Sequence, residues 1–269
     1  MNRLVDRPLR AIMPGMMILA VALTATGCKP PESTTKAPAG VPGVLKKTDL
    51  VVGTGDEAAP GDEVWMLYTG TFKDGKVFDS NMSEGKDLYS FTINDQANVI
   101  KGWIQGIPGM KVGGTRKLEI PSDLAYGEHG RDPIPPNTPL DFEVKLAYVL
   151  KPGPEHEGDF SKEDTKPGSG PEAKIGDTVV FDYKGEYLNG VVFDDSTARP
   201  NKKSAPVTAV LGGKEFPKVI KIVDLNLQGM KPGGERVFTA APKLLFNGFG
   251  NTVIKGGQPT KWTLKMISV

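Results

Sequence analysis

The sequence predicts an α+β fold built twice: two tandem domains, each a twisted antiparallel sheet wrapped around one short helix. Three observations carry this. Tyr68-Thr69-Gly70, Asp74-Gly75 and Val77-Phe78-Asp79 recur as Tyr183-Lys184-Gly185, Asn189-Gly190 and Val192-Phe193-Asp194, a constant 115 residues later. Val99-Ile100-Lys101 and Gly109-Met110-Lys111 recur 120 residues later, at Val219-Ile220-Lys221 and Gly229-Met230-Lys231, so the second copy carries extra residues in between. A period this long, seen twice, means two whole domains rather than a solenoid. Within each copy, short runs of alternating hydrophobicity are bounded by Gly, Pro and Asp, and one segment alone has helical spacing.

In the first copy, Glu63 to Phe72 is a strand candidate between Pro60-Gly61-Asp62 and Lys73-Asp74-Gly75. Asp74-Gly75 is a hairpin signal, because glycine accepts the positive φ of such turns. Val77 to Ser80 begins the return strand, and Tyr89 to Ile93 is another. Over Ala97 to Ile107 the period changes, and Val99, Ile100, Trp103 and Ile107 fall on one helical face. Strand resumes over Thr115 to Ile120, and Leu140 to Leu150 closes the domain. There Phe142, Val144, Leu146 and Tyr148 alternate with polar residues and Ala147, which predicts one buried and one largely wet face. The domains are expected at 44–150 and 159–269, joined by a linker over 151–158.

The chain of 269 residues has 33 basic and 32 acidic side chains, a net charge of +1. No like-charge run suggests a nucleic-acid surface. The two histidines, His129 and His156, have no ligand-like spacing, so neither a metal nor another cofactor is expected.

Residues 1–27 read as an export signal: Arg3, Arg7 and Arg10 precede an apolar stretch from Ala11 to Thr26. It ends in Ala25-Thr26-Gly27-Cys28, which resembles the bacterial lipobox, with Ala25 where leucine is usual. That resemblance makes residues 1–27 a lipoprotein signal peptide and implies that Cys28, the only cysteine, is acylated. Residues 28–43, rich in Pro, Ser, Thr and Ala, read as a flexible tether reaching roughly 45 Å when extended. The expected location is the bacterial cell envelope, lipid-anchored to a membrane and facing the periplasm or exterior.

Tyr68-Thr69-Gly70, Phe78-Asp79-Ser80, Val99-Ile100-Lys101-Gly102-Trp103, Gly109-Met110-Lys111-Val112-Gly113, Ala125-Tyr126-Gly127 and Ile134-Pro135-Pro136 closing on Phe142 resemble the FKBP-type peptidyl-prolyl isomerases, the macrolide-binding immunophilins. The resemblance covers nearly all of 44–150. It implies a pocket with Trp103 as floor and Tyr68, Phe78, Tyr89, Val99, Ile100 and Phe142 as walls. Asp79 and Tyr126 supply its polar groups, and Ile134 lies on an overhanging loop. It also implies proline-containing polypeptides as substrates and a macrolide as a further ligand. Tyr89 stands where phenylalanine is common, and Pro133 where an apolar loop residue is usual.

That residue list suits the chemistry. Rotation about an X–Pro bond faces a barrier of about 18–20 kcal/mol because twisting destroys amide resonance, yet no bond breaks. No nucleophile or metal is needed.

The second copy keeps Tyr183, Phe193, Asp194, Val219 and Ile220 but changes the pocket. Trp103 becomes Val223, Tyr126 becomes Phe246, Gly102 becomes Ile222, Phe142 becomes Trp262, and Pro135-Pro136 become Lys255-Gly256. Tyr89 aligns with Val207. The second domain is therefore expected to be weak or inactive, and its removal to leave peptide isomerisation nearly unchanged. The alternative functional class is a non-catalytic chaperone or peptide-binding module, or an adaptor, on the same fold.

Overall fold

In the computed structural model an edge strand with no sequence signature, β1 (Lys46–Val51), opens the first copy. All six of its residues are exposed, so it shows no alternation, and only antiparallel pairing with Thr115–Ile120 defines it. There follow β2 (Glu63–Thr71), β3 (Val77–Ser80), β4 (Tyr89–Thr92), helix α1 (Lys101–Gly106), β5 (Thr115–Ile120) and β6 (Leu140–Leu150). The second copy repeats the series as β7 (Phe160–Lys166), β8 (Thr178–Tyr187), β9 (Val192–Asp195), β10 (Val207–Val210), α2 (Lys221–Leu227), β11 (Glu235–Ala240) and β12 (Thr260–Ser268).

The first sheet runs β1-β5-β6-β2-β3, with β4 also on β2; the second runs β7-β11-β12-β8-β10, with β9 also on β8. All pairings are antiparallel, and the two orders correspond strand for strand. The structure describes residues 43–83, 85–153, 160–198, 205–213, 221–245, 250–251 and 253–269. The expected signal peptide, Cys28, the tether up to 42 and linker residues 154–158 lie outside them, as do Val219, Ile220 and Phe246.

Two sequence expectations need correction. The helix occupies only Lys101–Gly106, and Ile100 before it is extended (φ −65°, ψ 144°) with no side-chain cap. Gly102 and Gly106 lower the helix propensity, so only the part packed on β5 persists. Those glycines are required by contact: a Cβ on Gly102 would lie 2.4 Å from Ile120 Cγ2, and one on Gly106 would lie 2.8 Å from Leu118 Cδ1.

The second correction concerns Tyr148. The β2–β6 register passes from Trp65↔Tyr148 to Met66↔Leu146, leaving Ala147 as a bulge. A bulge of one residue reverses the faces that follow it. Tyr148 therefore leaves the inner core and packs edge-on against Trp65, ring centroids 5.6 Å apart, on the outer face. That face is not wet. Trp65, Leu88 and Leu150 of the first copy form one buried cluster with Ala241 of the second, and Leu188 packs against it.

Each copy has its own inner core, the first around Met66, Trp103, Leu118 and Phe142, the second around Phe181, Leu227, Phe238 and Trp262. Each core is tied by a buried arginine. Arg116 donates to both carboxylate oxygens of Asp49 and to the Gly106 and Pro108 carbonyls at the end of α1. Arg236 does the same with Asp164 and the Asn226 and Gln228 carbonyls. All described residues belong to one compact unit.

Candidate functional site

The recurring Tyr-x-Gly and Phe-Asp motifs have one local cause. The β2–β3 register passes from Gly70↔Asp79 to Thr71↔Val77, so Phe78 is a bulge residue. Its ring turns over Gly70, where a Cβ would lie 2.6 Å from Phe78 Cζ and 2.8 Å from Phe142 Cε1. Only glycine leaves that space. The bulge also brings Asp79 to the rim, where Tyr68 Oη donates to Asp79 Oδ2 at 2.7 Å. Burial, and then the bond to Asp79, push the Tyr68 hydroxyl well above the usual tyrosine range, so it remains a donor throughout the physiological range.

Trp103, 5% exposed, stands at the centre of the aromatic group. The rings of Tyr68, Phe142 and Tyr89 lie 5.0, 5.2 and 5.6 Å from it, at 70°, 81° and 79° to its plane. Rings so inclined stand as walls on a flat floor. The indole Nε1 is buried with no hydrogen-bond partner among the described residues. Val99 and Ile100, just before α1, complete the apolar side.

A cavity of about 150 Å³ opens between these groups, lined by nine of the ten residues the sequence singled out: Tyr68, Phe78, Asp79, Tyr89, Val99, Ile100, Trp103, Tyr126 and Phe142. The tenth, Ile134, is not on the lining. Its side chain is 5% exposed within the core, and its backbone forms a bridge with Arg131. It closes the loop through that bridge and packs in the first core. Two lining residues escaped the sequence reading, Asn98 and Arg131. Arg131 lies over the Tyr126 ring, its guanidinium carbon 5.7 Å from the centroid, and Nη1 donates to the hydroxyl at 3.5 Å. An exposed loop arginine one position after a glycine gives no periodic signal; only its nearness to Tyr126 in sequence pointed there.

In the second copy Tyr183 still donates its hydroxyl to Asp194, and Phe193 is again a bulge residue over a glycine, Gly185. Val223, fully buried, stands where the indole floor stood. Trp262, in the place of Phe142, stands edge-on to Phe193 (5.3 Å, 70°), stacks on Phe238 (6.2 Å, 6°) and donates its Nε1 to Thr260 Oγ1. Among the described residues no group of three or more His, Cys, Asp or Glu is placed to hold a metal, and no helix is long and apolar enough to cross a membrane.

Residues 55–147 and 170–267 each match the FKBP-type peptidyl-prolyl cis-trans isomerase family, and the chain belongs to that family, with two such domains. It is 48% identical over 121 residues to FK506-binding protein 4 of Neurospora crassa, covering 45% of this chain and 24% of that protein. It is 46% identical over 104 residues to the FK506-binding protein of Neisseria meningitidis serogroup B, covering 38% of this chain and 94% of that one. The chain thus spans about a quarter of the fungal relative's length. Among solved structures it resembles FkpA from Escherichia coli, at 41% identity over 41% of this chain and 49% of that chain (TM-score 0.37). The three FKBP domains of wheat FKBP73 align over 83% of this chain and 94% of theirs, at 21% identity (TM-score 0.36).

Proposed function

We propose that the first domain catalyses cis–trans rotation about X–Pro bonds of polypeptides, and that the second is weak or inactive. The observation that carries this reading is the indole floor with three aromatic walls around a small cavity, present in the first copy and replaced by Val223 in the second.

The geometry gives a mechanism without bond breaking. A pyrrolidine ring rests on Trp103 with its amide near the Tyr68–Asp79 pair. In the twisted transition state the carbonyl oxygen carries less negative charge than in the planar amide. A water-excluding aromatic pocket therefore disfavours the planar state relative to the twisted one. Tyr126, with Arg131 beside it, holds a neighbouring carbonyl and fixes the bound rotamer. Lowering the barrier by about 5.5 kcal/mol corresponds to about 10⁴-fold acceleration.

The test is a protease-coupled assay on a short X–Pro peptide, comparing the wild type with Trp103→Val, which gives the first copy the second copy's residue. Expected is a fall in kcat/KM of about 10- to 100-fold, the loss of a large aromatic contact in the transition state. Absence of acceleration by the wild type would sink the enzyme reading and favour the peptide-binding module. A macrolide, as the names of the relatives suggest, is the natural competitive ligand.

We also propose that the chain is a bacterial envelope lipoprotein anchored through acylated Cys28, working on envelope proteins from the periplasm or exterior. The basic front, apolar stretch and Cys28 support this. Incorporation of a labelled fatty acid in a bacterial host should be lost in Cys28→Ala; undiminished labelling overturns the anchor.

A further inference from the structure

We propose that Gln258, in the second domain, is a positioning residue for the first domain's pocket, holding the Tyr89 wall through the backbone of Leu88. The proposal rests on the reading of that pocket as a proline site.

The segment before β4 is gripped from two sides. On the pocket side Asn81 accepts from the Tyr68 amide through Oδ1, and its Nδ2 donates to the Met66 and Asp87 carbonyls. On the far side three side chains of the second domain bond the segment, beside the packing of Leu88 on Trp65 and Leu150. Asn189 Nδ2 donates to the Lys86 carbonyl at 2.7 Å, and Lys255 Nζ pairs with Asp87 Oδ1 at 2.8 Å. The Gln258 amide takes both backbone groups of Leu88: Oε1 accepts from its N–H at 3.1 Å and Nε2 donates to its carbonyl at 3.3 Å. A side-chain amide used this way satisfies one donor and one acceptor, as a neighbouring strand residue would. The turn bearing Gln258 is itself fixed, because Trp65 Nε1 donates to the Gly257 carbonyl at 2.9 Å.

The consequence for the pocket follows from strand alternation. Leu88 is 4% exposed in the cluster between the domains, so the next side chain, Tyr89, points to the opposite face and into the cavity. Strand β4 is four residues long, and Tyr89↔Met66 is the last pair of its ladder with β2. Little of the first domain's own sheet holds Tyr89 at this end. The second domain supplies the rest, with the turn that replaced the first copy's Pro135-Pro136. Removing that domain is then expected to weaken the pocket, contrary to the expectation from sequence.

The experiment is a double-mutant cycle in the intact chain: Gln258→Ala, Tyr89→Ala and the double variant. The probe is a short X–Pro peptide. Binding is followed by the Trp103 indole resonance, and turnover by the coupled assay. Expected for Gln258→Ala is about a 3- to 10-fold weaker peptide affinity and higher KM with little change in kcat, a loss of binding shared by the ground and transition states. In the Tyr89→Ala background the same substitution should have almost no further effect, since coupled residues are non-additive. Unchanged affinity in Gln258→Ala overturns the proposal, as does an equal effect with and without Tyr89, which marks a merely structural role. A wild type that binds without catalysing removes the enzyme reading and leaves this one decidable by binding. A wild type that does neither removes both.

Discussion

In the first copy Ile134 closes a loop at the mouth of the cavity, with Arg131 and Tyr126 above it; in the second, Ile254 closes the corresponding loop. The two loops share a frame. Gly130 and Gly250 both have positive φ, and a Cβ on either would strike the backbone oxygen of the closing isoleucine, at 2.6 and 2.3 Å. The Arg131 and Asn251 amides donate to those same oxygens. What differs is the outward end. Pro135-Pro136 in the first copy correspond to Lys255-Gly256 in the second, and the Gly256-Gly257-Gln258 turn lies on the other domain. Duplication kept the frame of the loop and changed what it meets. The same holds for the Tyr–Asp pair, which both copies keep although only one has an indole floor. The pair therefore goes with the strand frame and not with the indole.

The largest effect expected outside the pocket comes from the interface that separates the two loops' uses. Trp65 is 2% exposed on the outer face of the first sheet, where its Nε1 reaches the Gly257 carbonyl of the second domain. If the second domain covers it as core, Trp65→Ala should cost the intact chain about 3–5 kcal/mol, as large aromatic truncations in cores do. If the domains are effectively independent, the loss should stay within the roughly 0.5 kcal/mol typical of surface changes. Urea unfolding of the intact chain decides between them, and a small value would break the contrast between a pocket loop and a docking loop.

Much of this was legible in the sequence, and the failures have physical reasons. The twofold α+β organisation was readable because turn glycines and alternating strands are local signals. Ten pocket residues came from the resemblance to the FKBP-type isomerases, and nine of them line one cavity; for Phe78 and Asp79 the local cause is the bulge over Gly70. Strand β1 was not readable, being exposed along its length. The helix was over-extended because Val99 and Ile100 serve the pocket from outside the helix, Ile100 from extended backbone, where a helical period is coincidental. The interface was half visible: Val64-Trp65-Met66-Leu67-Tyr68 is an unbroken apolar run, the mark of a strand covered on both faces. Which partner covered it could not be seen, because Gln258 lies 170 residues from Leu88 and carries no motif. Gly102 shows a subtler limit. The Gly102–Ile120 contact becomes Ile222 with Ala240, a paired exchange of sizes that makes sense only once α1 is seen lying on β5.

The smallest expected effect is equal in the two copies and so tests what they share. Arg116 holds the Asp49 carboxyl below its ordinary value of 3.8 by direct hydrogen bonding, and Arg236 does the same for Asp164. In each case the folded state keeps the carboxylate ionised to lower pH than the unfolded chain does. The contribution to stability is therefore complete above about pH 4, and it is lost as pH falls through the depressed folded value. Both carboxylates are partly exposed, 44% and 57%, so solvent screening keeps the effect small. Urea midpoints measured from pH 6 down to about pH 2 should show wild type and Asp49→Asn converging as acid is added. Asp164→Asn should converge over the same range. A gap that persists unchanged to the lowest pH would mean that these arginines act through shape and neutral hydrogen bonds at the helix ends. Divergent behaviour of the two variants would mean that the second copy departs from the first in its frame as well as in its indole floor.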